Sequence, residues 1–155
     1  MKKVFCYEWF GINFVDFIKP SFRKIADSNF YEKFYREFYK RYHSYLDLPE
    51  SYKKSKSEVA NFLFNEIKNK NKILSIGCGN GCIEYKLANL ILENSQKNTN
   101  TDRYITAIEP SIQAFQWVDF ENVRLLQGFF PDVLEPSEKF DVAYASVVDY
   151  VFNDA

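Results

Sequence analysis

Histidine and cysteine are scarce in this sequence: 155 residues contain one histidine and three cysteines. Cys6, Cys78 and Cys82 supply no disulfide framework and no paired metal-ligand motif, so no metal site is expected. A thiol nucleophile needs a nearby base, and no histidine lies close to Cys78 or Cys82 in sequence. Both cysteines read as packing residues. Linker-like composition is also scarce and no internal repeat is visible, so the length fits one globular domain with one well-buried core.

Long apolar runs are missing too, which excludes a bilayer-spanning helix. The opening "MKKVFCYEWFGINFVDFI" imitates a signal peptide, but Glu8 and Asp16 interrupt it and no small-residue cleavage site follows. It reads as a buried or partner-covering segment of a cytoplasmic protein. The formal net charge is only −1. Its distribution is uneven, with 15 Lys/Arg against 9 Asp/Glu in residues 1–72 and 5 against 12 in residues 73–155. The basic residues of the first half are scattered among Phe and Tyr without an RNA-binding signature, so nucleic acid is not an expected partner.

What is abundant is aromatic. "NFYEKFYREFYKRYHSY", residues 29–45, places aromatics at 30, 34 and 38 and again at 31, 35, 39 and 42, the spacing of one helix with charged residues opposite. Asn29 with Glu32 suggests a capping box, and Pro49 ends the unit. A second helix is expected after Ser55, with Val59, Phe62, Leu63 and Ile67 as its apolar stripe.

From Lys72 the pattern changes to short apolar runs: "KILSI" (72–76), "YITAIE" (104–109), "VRLLQG" (123–128) and "FDVAYAS" (140–146). A helix over 82–92 and another over 111–120 separate them. Such alternation predicts parallel strands with right-handed crossovers, hence an α/β, Rossmann-like doubly wound and mostly parallel sheet. The N-terminal helices would form a cap on it. Ligands in such sheets bind beyond the carboxyl ends of the strands, where strand order reverses.

Gly77, Gly79 and Gly81 follow the first of these strands directly. They permit a tight turn and let a ligand approach backbone at the amino end of the next helix. The G-x-G-x-G spacing differs from the dinucleotide fingerprint, which would need glycine where Cys82 stands. Glu109 ends the following strand, where a carboxylate can accept hydrogen bonds from both hydroxyls of a ribose.

"ILSIGCGNG", "ITAIEPS", "VRLLQGFFPDV" and "KFDVAYASVVDYV" together resemble the successive motifs of class I S-adenosylmethionine-dependent methyltransferases. The resemblance covers residues 72–152. It implies S-adenosylmethionine as cofactor, with Gly77, Cys78, Gly79 and Gly81 under its methionine part and ribose. Glu109, followed by Pro110, would hold the ribose hydroxyls, and Gln127, Gly128 and Phe129 would lie near the adenine edge. Ala145 and Ser146 would line the floor where the methyl group is presented. The family commonly has an acid where this chain has Ser75, which helps to hold the cofactor's ammonium. Glu84, in the first turn of the next helix, is the candidate substitute, the alternative being a carboxylate that only favours the helix's positive end.

The same resemblance assigns residues 1–70 to a helical cap on the substrate side and 71–155 to the cofactor-binding portion of a single domain. His43 and Tyr35 are the candidate catalytic residues. A surface role for His43 and a core role for Tyr35 remain the plainer alternatives. The expected acceptor is a small molecule or a saccharide of capsule or glycan biosynthesis. Because the family's sheet continues beyond a fourth strand, the chain is expected to be a truncated cofactor-binding half whose fourth strand is an exposed edge. A partner chain or self-association would cover that edge, and a non-catalytic module pairing with a partner is the alternative reading. A nicotinamide-dependent oxidoreductase is a third.

Overall fold

A computed structural model describes residues 8–13, 28–95, 103–111, 114, 116–117 and 119–146. The expectations for Cys6, for residues 14–18, for most of the polar stretch 93–103 and for the tail 147–155 lie outside these residues. The described elements are β1 (Glu8–Trp9), β2 (Ile12–Asn13), α1 (Ser28–Arg41), a 3-10 turn (Tyr45–Asp47), α2 (Glu50–Glu66), β3 (Lys72–Ile76), α3 (Cys82–Ser95), β4 (Tyr104–Glu109), β5 (Val123–Gln127) and β6 (Val142–Ala145).

β3 to β6 form one sheet in the order β5-β4-β3-β6, every neighbour parallel. The chain therefore winds outward from β3 in both directions, which is the Rossmann-like α/β arrangement expected from the sequence. The order reverses between β3 and β6, and Ile76 pairs with Ala145 at that point. At the opposite end of these strands, Asp141 accepts the amides of Asn71 (2.8 Å) and Lys72 (3.0 Å). Those bonds hold the Asp141 carboxyl below its ordinary value. They lock the register of β6 against β3.

Alternation along the strands decides which face is covered. Ile73, Ile105 and Ala107 lie in one buried cluster with Ala60 and Ile67 of the α2 region and with Ile83, Leu87, Ala88 and Ile91 of α3. α2, grouped with the cap from sequence, therefore serves the sheet. It also starts earlier than expected, directly after Pro49, with Ser55 inside the helix. Proline suits such a boundary because a helix's first amides have no internal partner. Phe62, expected in the apolar stripe, is 63 % exposed, while Ala60 is fully buried in its place. The small side chain lets α2 approach α3 closely.

α1 belongs to a second, aromatic cluster of Ile12, Phe34, Tyr35, Phe38, Tyr39, Tyr45, Leu48, Cys82 and Ala114. Tyr31, Tyr35 and Tyr39, one turn apart each, stack in sequence at 6.3 and 6.1 Å. Phe38 meets Phe10 edge-on at 5.2 Å. Phe10 and Gly11 form the two-residue turn between β1 and β2, both with positive φ, as the twist of a tight hairpin requires. The Phe10 carbonyl accepts Arg41 Nη1 (3.0 Å) and the Tyr42 hydroxyl (3.2 Å), which fastens the hairpin to the end of α1. α1 ends at Arg41, short of Tyr45. There Asp47 accepts the amides of His43 and Ser44, each at 2.9 Å, and turns the chain.

The crossover after β4 departs from the helix expected over 111–120: its described residues Ala114, Gln116 and Trp117 are in turns, and 112, 113, 115 and 118 lie outside the description. The Ala114 carbonyl accepts the Tyr39 hydroxyl. Trp117 packs on the same tyrosine at 5.0 Å. Ala114 and Trp117 thus belong with the aromatic surface of α1.

Candidate active site at the glycine loop

The glycine loop leaves β3 at its carboxyl end and enters α3. Gly77, Gly79 and Gly81 all have positive φ, between 59° and 70°. For residues with a Cβ, that left-handed conformation costs roughly 1–2 kcal/mol each, so three in five positions call for glycine. At Gly79 space adds a second demand, since a Cβ would lie 2.8 Å from the Tyr35 hydroxyl. The amides of Gly77 and Cys78 both donate to the Ile108 carbonyl, at 2.9 and 3.1 Å, so β4 continues to support the loop past the end of β3. Asn80 Oδ1 accepts the Cys82 amide at 3.2 Å and the Tyr52 hydroxyl at 3.3 Å, closing the amino end of α3.

Two buried carboxylates flank this loop. Glu109, at the end of β4, accepts Gly79 N–H at 3.0 Å through Oε2 and Ser111 N–H at 3.2 Å through Oε1. Its own carbonyl accepts Gly128 N–H at 3.1 Å, which brings the end of β5 alongside. Burial pushes the Glu109 carboxyl above its ordinary value, against the lowering effect of the two amides, and Glu84 raises it further.

Glu84 is 1 % exposed. Its Oε1 accepts both the Ser75 hydroxyl (2.6 Å) and the Tyr144 hydroxyl (2.7 Å), joining α3 to β3 and β6. Its Oε2 is buried with no hydrogen-bond partner. An unpaired buried oxygen of this kind costs about 1–3 kcal/mol, more when charged. Burial raises the Glu84 carboxyl above its ordinary 4.5 despite the opposing Ser75 and Tyr144 bonds. Ser75 thus occupies the strand position while Glu84 brings a carboxylate to it from the helix.

The remaining sequence candidates divide. Pro110 is half-buried beside Glu109, while Gln127 is exposed and pairs with Glu109 in the sheet register. Gly128 has φ +142°, and a Cβ there would meet Val133 at 2.1 Å. Phe129 is 55 % exposed. Ala145 is exposed and Ser146 half-buried at the end of β6. Tyr35 is brought to the glycine loop, its hydroxyl pushed well above its ordinary range by burial and then by Glu109. His43 is exposed and is brought to Asp47, not to the glycine loop. Burial also raises Cys78 strongly and Cys82 to about 11, which disfavours a thiolate at either.

Sequence reasoning did not find Tyr144, Tyr52, Asn80 or Ser111. Only Tyr144 carried a signal, since alternation along "VAYA" puts it on the face that Ser75 shares. Among the described residues no group of three His, Cys, Asp or Glu side chains is arranged to hold a metal ion. No described helix is long and apolar enough to cross a membrane.

No protein-family description and no curated protein matches the sequence. Among solved structures, the plantazolicin methyltransferase BpumL, in complex with monoazolic desmethylPZN analog and SAH, is similar to this chain at 14 % identity with a TM-score of 0.38. The match covers 73 % of this chain and 38 % of that one.

Proposed function

We propose that this chain is the cofactor-binding portion of an S-adenosylmethionine-dependent methyltransferase that acts on a small molecule or a saccharide of the cell envelope in the cytoplasm. The observation that carries the reading is the glycine loop at the strand-order reversal, flanked by the buried carboxylates Glu109 and Glu84. Two acids there suit a ligand bearing positive charge. A dinucleotide would set its pyrophosphate at the amino end of α3, where neither acid offers it a cation.

When bound, the cofactor supplies an electrophilic methyl group on a sulfonium. Gly77, Cys78, Gly79 and Gly81 admit its chain and ribose to the backbone, and Glu109 accepts the ribose hydroxyls. Glu84, seated by Ser75, receives the ammonium. Pro110, Gln127, Gly128 and Phe129 border the adenine, and Ala145 and Ser146 form the floor beneath the methyl. The substrate side of residues 1–70 is α1, whose Tyr35 stands over Gly79, while α2 supports the sheet. Methyl transfer depends mainly on in-line positioning, which supplies roughly 7–11 kcal/mol, so no strong base is required.

Calorimetric titration of the 155-residue chain with S-adenosylmethionine, beside a Glu109→Ala variant and an NAD control, tests this. Binding that weakens in the variant supports it, whereas a folded chain that ignores S-adenosylmethionine defeats it. A second reading, a non-catalytic module that pairs with a partner chain, draws on β6, whose Ala143 and Ala145 are exposed. A native protein that sediments as a monomer would remove its support.

A further inference from the structure

Ser75 and Tyr144 both donate to the same oxygen of Glu84, which leaves the carboxyl group half satisfied. The other oxygen is sealed from water without a donor. An ionised carboxylate would not remain so, because burying an unpaired charge costs far more than burying a neutral acid. The charged and titratable groups around it do not supply the missing partner. Lys56 of α2 lies near enough to favour the charged form but makes no ion pair with Glu84 among the described residues. Tyr52 of α2, Cys78 and Cys82 of the glycine loop and α3, Glu109 of β4 and Tyr144 of β6 all feel Glu84 as a charge that disfavours their own ionisation. The surroundings are therefore short of one hydrogen-bearing cation.

We infer that Glu84 is a proton-exchanging subsite for a primary ammonium: Oε2 carries a proton while the subsite is empty and releases it to solvent when a ligand's ammonium docks there. One proton leaves for each ammonium bound, and the resulting carboxylate accepts an ammonium N–H in place of its own O–H. Burial, the largest influence on this group, favours the protonated empty state. The Ser75 and Tyr144 hydroxyls hold Oε1 in both states and so orient Oε2. Binding at this subsite tightens as pH rises until Glu84 is ionised in the empty protein.

The inference rests on the adenosyl reading above, and the test separates the two. S-adenosylhomocysteine carries the amino-acid ammonium, whereas 5′-methylthioadenosine keeps the ribose and adenine and lacks it. Titration of the wild-type protein at neutral pH, in buffers of different ionisation enthalpy, is expected to show proton release approaching one for the first ligand beyond that for the second. Glu109 meets the ribose of both ligands and cancels in that comparison. In Glu84→Gln, which keeps the shape, the excess release is expected to vanish and the preference for S-adenosylhomocysteine to fall at least tenfold. Equal release for the two ligands, or an unchanged preference in the variant, overturns the subsite and leaves the adenosyl reading standing. Failure of both ligands to bind folded protein defeats the adenosyl reading. Infrared difference spectra of the ligand-free proteins then decide on Glu84 alone: wild type minus Glu84→Gln shows a carboxylic-acid carbonyl band if the proton is there. A carboxylate band in its place overturns the inference.

Discussion

The amide of Gly79 donates to Glu109 Oε2 at 3.0 Å, 30 positions away in sequence. A loop that must stay bare of side chains is thereby held in place by a carboxylate from the neighbouring strand, and the same carboxylate keeps acceptor capacity for a ligand's hydroxyls.

Replacing Glu109 by alanine should therefore do two things at once. It frees the Gly79 and Ser111 amides and, on the proposed function, removes the acceptor for the ribose. Each charge-assisted bond contributes about 1.5–3 kcal/mol, so affinity for S-adenosylhomocysteine should fall at least tenfold. Glu109→Gln should fall between wild type and alanine. Calorimetry on the three proteins checks the order, and equal affinities would contradict it.

Gly79→Ala should destabilise the fold by about 1–2 kcal/mol from the left-handed backbone alone, with a further cost from the approach of the Tyr35 hydroxyl. Tyr35→Phe removes that hydroxyl. In urea unfolding, the double variant should thus be more stable than the sum of the single effects implies. Strict additivity would show that the hydroxyl does not press on Gly79.

The pH profile of stability follows from the two raised carboxyls. The folded state of each holds its proton to a higher pH than the unfolded chain does, whose ordinary value is 4.5. Their contribution to stability is complete below about pH 4.5 and is lost as pH rises through the folded values. Melting temperature should consequently decline less steeply above pH 4.5 in Glu84→Gln than in wild type. Tyr144→Phe, which removes a bond favouring the charged form, should steepen the decline. A profile unchanged by both substitutions would argue against a titrating Glu84.

Phe38 and Phe62 provide a contrast in packing. Phe38 is fully buried among aromatics and Phe62 is 63 % exposed. Phe38→Ala should cost about 3–5 kcal/mol, while Phe62→Ser should stay within about 0.5 kcal/mol of wild type. Denaturant midpoints would reveal a reversal at once.

These contrasts also mark what could be read from the chain alone. The four parallel strands and α3 were legible because each is a short apolar run bounded by turn residues, and "SIGCGNG" placed the loop directly after a strand. Glu109 was legible as a strand end. The start of α2 was not, because Ser55 with Glu58 imitates a cap that Pro49 makes unnecessary. The stripe through Phe62 misled because helical spacing does not say which side faces α3, and Ala60 carries almost no hydrophobic signal. In the 111–120 stretch, Ala114 lies in a turn and its carbonyl meets Tyr39, a contact 75 residues distant that no local pattern encodes. The pairing of Glu84 with Tyr144 is of the same kind, since it depends on β6 lying beside β3.

Trp117 packs on Phe38 at 5.5 Å and on Tyr39 at 5.0 Å, inside the cap's cluster. The sheet's own cluster is built of aliphatic side chains and alanines with Phe64, Phe120 and Tyr144 packed against it, and it contains no tryptophan among the described residues. The protein consequently carries a built-in optical reporter for one half of its structure. With Trp9 replaced by phenylalanine, indole fluorescence follows only the seating of α1 over the glycine loop, while the sheet remains silent at those wavelengths. A ligand that shifts α1 would change emission without any label being attached.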